Sequence, residues 1–302
     1  MQQESFNFKS YLLIMKRFYK AILATVLVLA TMPDFAQQKT PEFIGPERGS
    51  LVIVGGGRLG PDIWARFIEL AGGPNARIVV IPTAGEDSAI NTGKSFEKEL
   101  LQNLGIQNVV VLHTRDPKIA NTDSFVAPIR KATGIWFSGG RQWRLADAYL
   151  NTLAYKEFNM LLRRGGVIGG TSAGATIQGS FLFRGDTKGN ELLIGDHVQG
   201  FDFVHNVAID QHILRRNRQF DLAEFVKTHP DLLGIGIDEN TAIVVQKNSF
   251  EVIGNSYVAV YDGNTAKSNT ASKQFFFLSK GQRYNLKDRK PIASQEGPAT
   301  AN

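Results

Sequence analysis

The chain has 302 residues, 43% of them hydrophobic, with a formal net charge of +6 and no cysteine. That apolar content suits a large buried core and excludes a disordered chain. The charge excess is mild, with no basic block beyond Arg215, Arg216 and Arg218, so nucleic acid is not an expected partner; the missing cysteines exclude disulfides, thiolate metal sites and lipid attachment at cysteine.

Residues 1–36 read as an export signal. Lys16, Arg17 and Lys20 precede an apolar run at 21–30, and Ala36 offers a small residue before a cut at Gln37, with Met15 as an alternative start. The run is too short to span a bilayer, so no stable membrane span is expected after cleavage, and the location is periplasmic or secreted. Removing these residues takes away four basic and two acidic side chains and lowers the net charge from +6 to +4. Residues 37–48 read as a polar, proline-containing linker, 49–290 as a single domain and 291–302 as a disordered tail.

Within the domain, strands are predicted over residues 51–54, 77–81, 109–112, 134–137 and 166–168. They alternate with helices over 61–70, 95–104, 128–132 and 143–162. This alternation predicts an α/β fold: a three-layer, mostly parallel sheet flanked by helices, with ligands at the carboxyl ends of the strands. Beyond residue 180 the pattern becomes loop-rich, with further strands over 206–209, 234–237, 242–245, 257–261 and 275–278. No internal repeat is present.

Four segments carry candidate chemistry. Gly169-Gly170-Thr171-Ser172-Ala173-Gly174-Ala175 follows an apolar strand and precedes a helical segment. A serine between small residues at such a corner is how many hydrolases expose a nucleophile, with the next backbone N–H groups aimed at the developing oxyanion. The bland alternative is a corner that only packs a helix onto a sheet. Ile209-Asp210-Gln211-His212 puts a histidine just past a strand, at the sheet edge that carries Ser172, where it could activate a hydroxyl or simply hydrogen-bond locally. Ser138-Gly139-Gly140-Arg141-Gln142 ends a strand with glycines that admit a ligand close to the backbone. Gly55-Gly56-Gly57-Arg58-Leu59-Gly60 fits the dinucleotide fingerprint, but Ile81-Pro82 stands where the ribose-binding acid belongs. A glycine-rich strand-to-helix turn is therefore the preferred reading.

Together these residues resemble the cyanophycinase branch of the S51 serine peptidases, which also contain aspartyl dipeptidases. Gly-Thr-Ser-Ala-Gly-Ala, Asp-Gln-His some forty residues on, Gly-Gly-x-Gln before and 236–242 after carry the resemblance, which covers residues 51–260. It implies a fold like that of class I glutamine amidotransferases. It also implies Ser172 as nucleophile, His212 as general base, and an oxyanion site at the N–H of Ala173 and of Gly140 or Gly139. The third triad member is expected in the loop after the nucleophile, at Asp186 or Glu191, with Glu191 preferred. Gln142, Asp210, Gln211, Arg216 and Arg218 match the family's substrate pocket, whose arginines would grip carboxylates while Asp210 or Asp238 gripped a guanidinium. No metal or organic cofactor is implied.

The resemblance further implies a peptide or polypeptide substrate rich in Asp and Arg, and a homodimer. Three departures bear on the substrate: Ile213 replaces an aromatic residue, Asp221 stands where a further arginine is usual, and Arg141 replaces an acid. The leading expectation is an exported serine peptidase acting on cyanophycin or related β-aspartyl peptides. An aspartyl dipeptidase with another acidic substrate, a serine esterase and a non-catalytic binding protein on the same fold are the alternatives.

Overall fold

The computed structural model describes residues 43–90, 95–266 and 275–293. The export signal at 1–36 and most of the linker lie outside them. Residues 43–48 are not linker-like: Gly45 and Pro46 are buried. The Gly45 N–H donates to the Lys247 carbonyl (2.7 Å), and the Ile44 carbonyl accepts from the His205 N–H (2.7 Å).

The large sheet starts from β1 (Ser50–Val54), which every residue enters buried. It pairs in parallel with β5 (Val167–Thr171), and β4 (Gly134–Phe137), β2 (Arg77–Ile81) and β3 (Asn108–Val111) follow outward, all parallel. On the other side of β1 the sheet turns antiparallel through β9 (Thr241–Gln246), β10 (Ser249–Gly254), β13 (Arg283–Asn285) and β14 (Lys290–Ile292). The central strands β1, β2, β4 and β5 read as apolar runs because both faces are covered. Val52, Val54, Ile78, Val80 and Trp136 face helix α1 (Pro61–Leu70) through Ile63, Trp64 and Phe67. The alternate residues Leu51, Ile53, Val79, Ile81 and Phe137 share a core with α3 (Asp123–Lys131), α4 (Gln142–Tyr149) and α5 (Leu153–Arg163). The amphipathic α2 (Phe96–Asn103) precedes β3.

Glycine in β5 has a packing cause. A Cβ at Gly169 would lie 2.5 Å from Trp136 Cε3, so the strand gives up a side chain to seat that indole between Trp64 and Phe67.

A second sheet holds the short β6 (Gly179–Phe181), β7 (Val204–Gln211), β8 (Leu233–Ile237), β11 (Val258–Asp262) and β12 (Phe276–Leu278). Helix α7 (Asp221–Thr228) covers it through Leu222, Phe225 and Val226. The short helix α6 (Ala173–Thr176) follows β5.

The mixed α/β fold with flanking helices agrees with the sequence expectation, but three local expectations need correction. The helix expected over 143–162 is two helices. Asn151 takes a left-handed backbone (φ 62°) and Thr152 Oγ1 accepts the Tyr155 N–H, capping a new start. The helix expected over 128–132 starts earlier, capped by Thr122, so Pro128 lies inside it rather than in its first turn. The expected tail loses Pro291 and Ile292 to β14, while 294–302 lie outside the described residues. Among the described residues no helix is long and apolar enough to cross a membrane.

Candidate active site

The two sheets meet where their strands end. Ser172 follows β5 of the large sheet, in a strained backbone conformation (φ 54°, ψ −111°). The corner is too tight for side chains on its flanks. A Cβ at Gly170 would lie 2.3 Å from the Gly174 carbonyl oxygen, and one at Gly174 would lie 2.1 Å from that of Phe137. His212 follows β7 of the small sheet, also with positive φ (55°), and its N–H donates to the Gly55 carbonyl (2.9 Å).

His212 Nε2 lies 3.0 Å from Ser172 Oγ, and Nδ1 lies 2.6 Å from Glu239 Oε1. The carboxylate beside the imidazole is thus Glu239, where Asp186 or Glu191 was expected. Asp186 points elsewhere: its Oδ1 accepts the Lys188 and Gly189 N–H groups and holds the loop's own turn. Glu191 is exposed. Sheet register could have indicated Glu239. Gln211 pairs with Ile237 in the parallel β7–β8 pair, so the residues just past each strand lie side by side. Asp238, the nearer of the two in sequence, is taken by other work: Oδ1 accepts the Leu214 and Arg215 N–H groups, and Oδ2 accepts the Ser256 hydroxyl.

The glycine-rich loop after β1 now has a physical role. A Cβ at Gly56 (φ 115°) would sit 2.2 Å from His212 Cε1, and one at Gly57 (φ 72°) would sit 2.7 Å from Glu239 Oε2. The glycines make room for the imidazole and the carboxylate, and these side chains fill the space that a dinucleotide fingerprint would leave for phosphates. Asn240 locks the arrangement, since its N–H donates to Gly56 and its Oδ1 accepts from the Gly60 N–H (2.6 Å).

Burial lowers the His212 pKa, and the Arg216 and Arg218 charges lower it further against the pull of Glu239. The imidazole is therefore neutral at neutral pH, the form that can accept a proton. On the facing strand end, Gly139 backs the serine: a Cβ there would lie 3.4 Å from Ser172 Cβ. Gly140 has φ 140° and no room for a side chain, because a Cβ would lie 2.0 Å from the Ala84 carbonyl oxygen.

The expected pocket residues divide into two sets. Gln142 is buried and donates through Nε2 to the Phe183 and Arg184 carbonyls, leaving Oε1 without a protein partner among the described residues. Gln211 Oε1 and Arg218 Nη1 are likewise buried and unpartnered, and Arg216 is exposed. Asp210 is different. Its carboxylate is bound two-pronged by Arg184 (Nε 3.0 Å, Nη2 3.1 Å), both side chains being almost fully buried. The expectation that Asp210 or Asp238 grips a substrate guanidinium is therefore corrected: each carboxylate is engaged within the protein. Asp221, noted for replacing an arginine, pairs with the same Arg184. The sequence reading missed Arg184, which carries no local motif and lies far from Asp210 and Asp221 in the chain. Among the described residues no cluster of His, Asp or Glu could hold a metal ion.

The profile of peptidase family S51 matches residues 50–253. A cyanophycinase from Geminocystis herdmanii is 32% identical over 82% of this chain and 97% of its own length, and one from Nostoc sp. is 29% identical over 86% and 93%. A crystal structure of a peptidase from an acI-B1 actinobacterium superposes with a TM-score of 0.62 at 25% identity, covering 80% of this chain and 98% of that one. The chain belongs to peptidase family S51, the serine-type peptidases.

Proposed function

We propose that this chain is an exported peptidase that hydrolyses cyanophycin or shorter β-aspartyl peptides through an acyl-enzyme on Ser172. The observation that carries this reading is the unbroken relay from Ser172 Oγ through His212 to Glu239. As Oγ attacks the substrate carbonyl carbon, His212 Nε2 takes its proton, and Glu239 stabilises the imidazolium through Nδ1–H. The tetrahedral oxyanion is placed between the Ala173 N–H and that of Gly140 or Gly139. The imidazolium then protonates the leaving amine, and water repeats the steps in reverse on the ester.

The cyanophycinase relatives support the polymer as substrate. Against it, Asp210 and Asp238, the carboxylates expected to grip an arginine side chain, are engaged within the protein, which favours short β-aspartyl peptides as the second reading. The charged and apolar stretches within residues 1–36 support export.

The test is to incubate the chain from Gln37 with cyanophycin, β-Asp-Arg and α-aspartyl dipeptides, beside its Ser172→Ala variant, and to follow products by mass spectrometry. Serine-dependent release of β-Asp-Arg from the polymer supports the first reading. Cleavage of dipeptides alone supports the second. No serine-dependent cleavage overturns both.

A further inference from the structure

Arg184 holds the most demanding position in the site. It is 2% exposed, has a left-handed backbone (φ 56°) and sits in the segment after β6. Its guanidinium binds both oxygens of Asp210, reaches Asp221 at the first residue of α7 and donates through Nη1 to the Asn190 carbonyl (3.1 Å). Its own N–H donates to Leu193, and its carbonyl accepts from Gln142. Arg184 thus joins α4, the segment after β6, the end of β7 and the start of α7. The next residue must be glycine, since a Cβ at Gly185 would lie 2.1 Å from the His197 carbonyl oxygen.

The neighbour that matters is Arg218. It is 8% exposed, lies within the field of Asp210, and keeps Nη1 unpartnered among the described residues. A buried guanidinium N–H without an acceptor is costly. The Asp210 carboxylate is held instead by Arg184 at both oxygens and by the Gln211 N–H (2.9 Å), and the Arg218 carbonyl accepts the N–H of Asp221 (3.0 Å), the other carboxylate on Arg184.

We propose that Arg184 is a positioning residue that sets specificity: by holding Asp210 and Asp221, it keeps Arg218 free to bind a carboxylate of the peptide substrate. This rests on the peptidase reading above only for the substrate's class. Without Arg184, Asp210 turns to Arg218, and the site loses its carboxylate reader while the Ser172–His212–Glu239 relay stays in place. The unpartnered Gln142 Oε1 and Gln211 Oε1 call for N–H donors, which a peptide carries beside its carboxylate.

The test measures binding by calorimetry, in the Ser172→Ala background, of β-Asp-Arg and of the same dipeptide with both carboxylates converted to carboxamides. With Arg184 present the free acid binds tighter. Arg184→Met is expected to lower that preference about tenfold, the scale of one charge-assisted hydrogen bond. The double variant Arg184→Met with Asp210→Asn removes the competing carboxylate and is expected to restore it, which a general loss of packing would not do. An unchanged preference in Arg184→Met overturns the proposal, as does a double variant that fails to recover it. If Arg184→Met does not fold, Arg184→Lys, which keeps a charge beside Asp210 but not the two-pronged hold, is read in its place: a lowered preference supports the proposal and an unchanged one overturns it. Turnover by the wild-type chain is read separately, so failure of the peptidase reading and failure of this proposal give different results.

Discussion

The two sheets contribute to the site in opposite ways. The large sheet shapes its side by leaving side chains out: Gly55, Gly56, Gly57, Gly140, Gly170 and Gly174 each stand where a Cβ would strike backbone, His212 or Glu239. The small sheet and its connections supply charge, with Arg184, Asp210, His212, Asp238 and Glu239 each held by named hydrogen bonds. One side is therefore sensitive to added volume and tolerant of charge changes it does not contain. The other is sensitive to charge even when volume is conserved. Ser172 belongs to the first side by position and to the second by chemistry.

The largest effect tests that double membership. Ser172→Ala is expected to lower kcat by about 10⁵–10⁶ while leaving the thermal midpoint nearly unchanged, because the hydroxyl holds no other protein group. Peptide turnover and a melting curve on one preparation check both halves. Glu239→Gln keeps volume and removes charge, so a loss of about 10⁴ in kcat is expected, against no measurable loss for the exposed Glu191→Gln. Equal losses in the two would return the third position to the loop after β6.

Gly56→Ala adds one methyl group and no charge. It should displace the imidazole and cost about 10² in kcat, with little change in KM. A smaller loss than that of a charge-neutral change on the other side would break the contrast between the sheets. The smallest effect is a titration shift. Because the His212 pKa is lowered, the acid limb of kcat/KM should lie below the ordinary histidine value of about 6.5. Arg216→Ala removes a repelling cation, raises that pKa and moves the limb to higher pH, a small shift for so exposed a charge. A limb that stays in place would separate His212 from the titrating base. The same depression means that the unfolded chain binds more protons here, so stability declines as pH falls below the ordinary histidine value.

Much of this was legible from residues 50–175, where apolar runs and glycine punctuation report directly on a parallel sheet. Ser172 and His212 stood out because small residues around a serine, and a histidine past a strand, have local signatures. Glu239 did not, because its partnership depends on β7 and β8 being neighbours, a fact of register and not of spacing. Arg184 was hidden for the same reason: Asp210 and Asp221 reach it across elements that the sequence does not show as adjacent. The break at Asn151 was missed because the apolar period runs on through it. The strands β10, β13 and β14 were missed because they are short or half-polar, and β14 lies at the sheet's edge.

The left-handed backbones gathered here have a practical consequence. Ser172, Arg184, His212 and Asn240 all have φ between 50° and 56°, and a non-glycine residue in such a conformation gives up on the order of 1 kcal/mol. Glycine would relax Ser172, whose hydroxyl bonds only the His212 imidazole, whereas at Arg184 it would leave the buried Asp210 carboxylate unpaired. A library of this chain selected only for survival of heat would therefore favour glycine at position 172 and yield a sturdier protein that no longer turns over peptide. Any effort to harden the enzyme must score each clone on catalysis and on melting together.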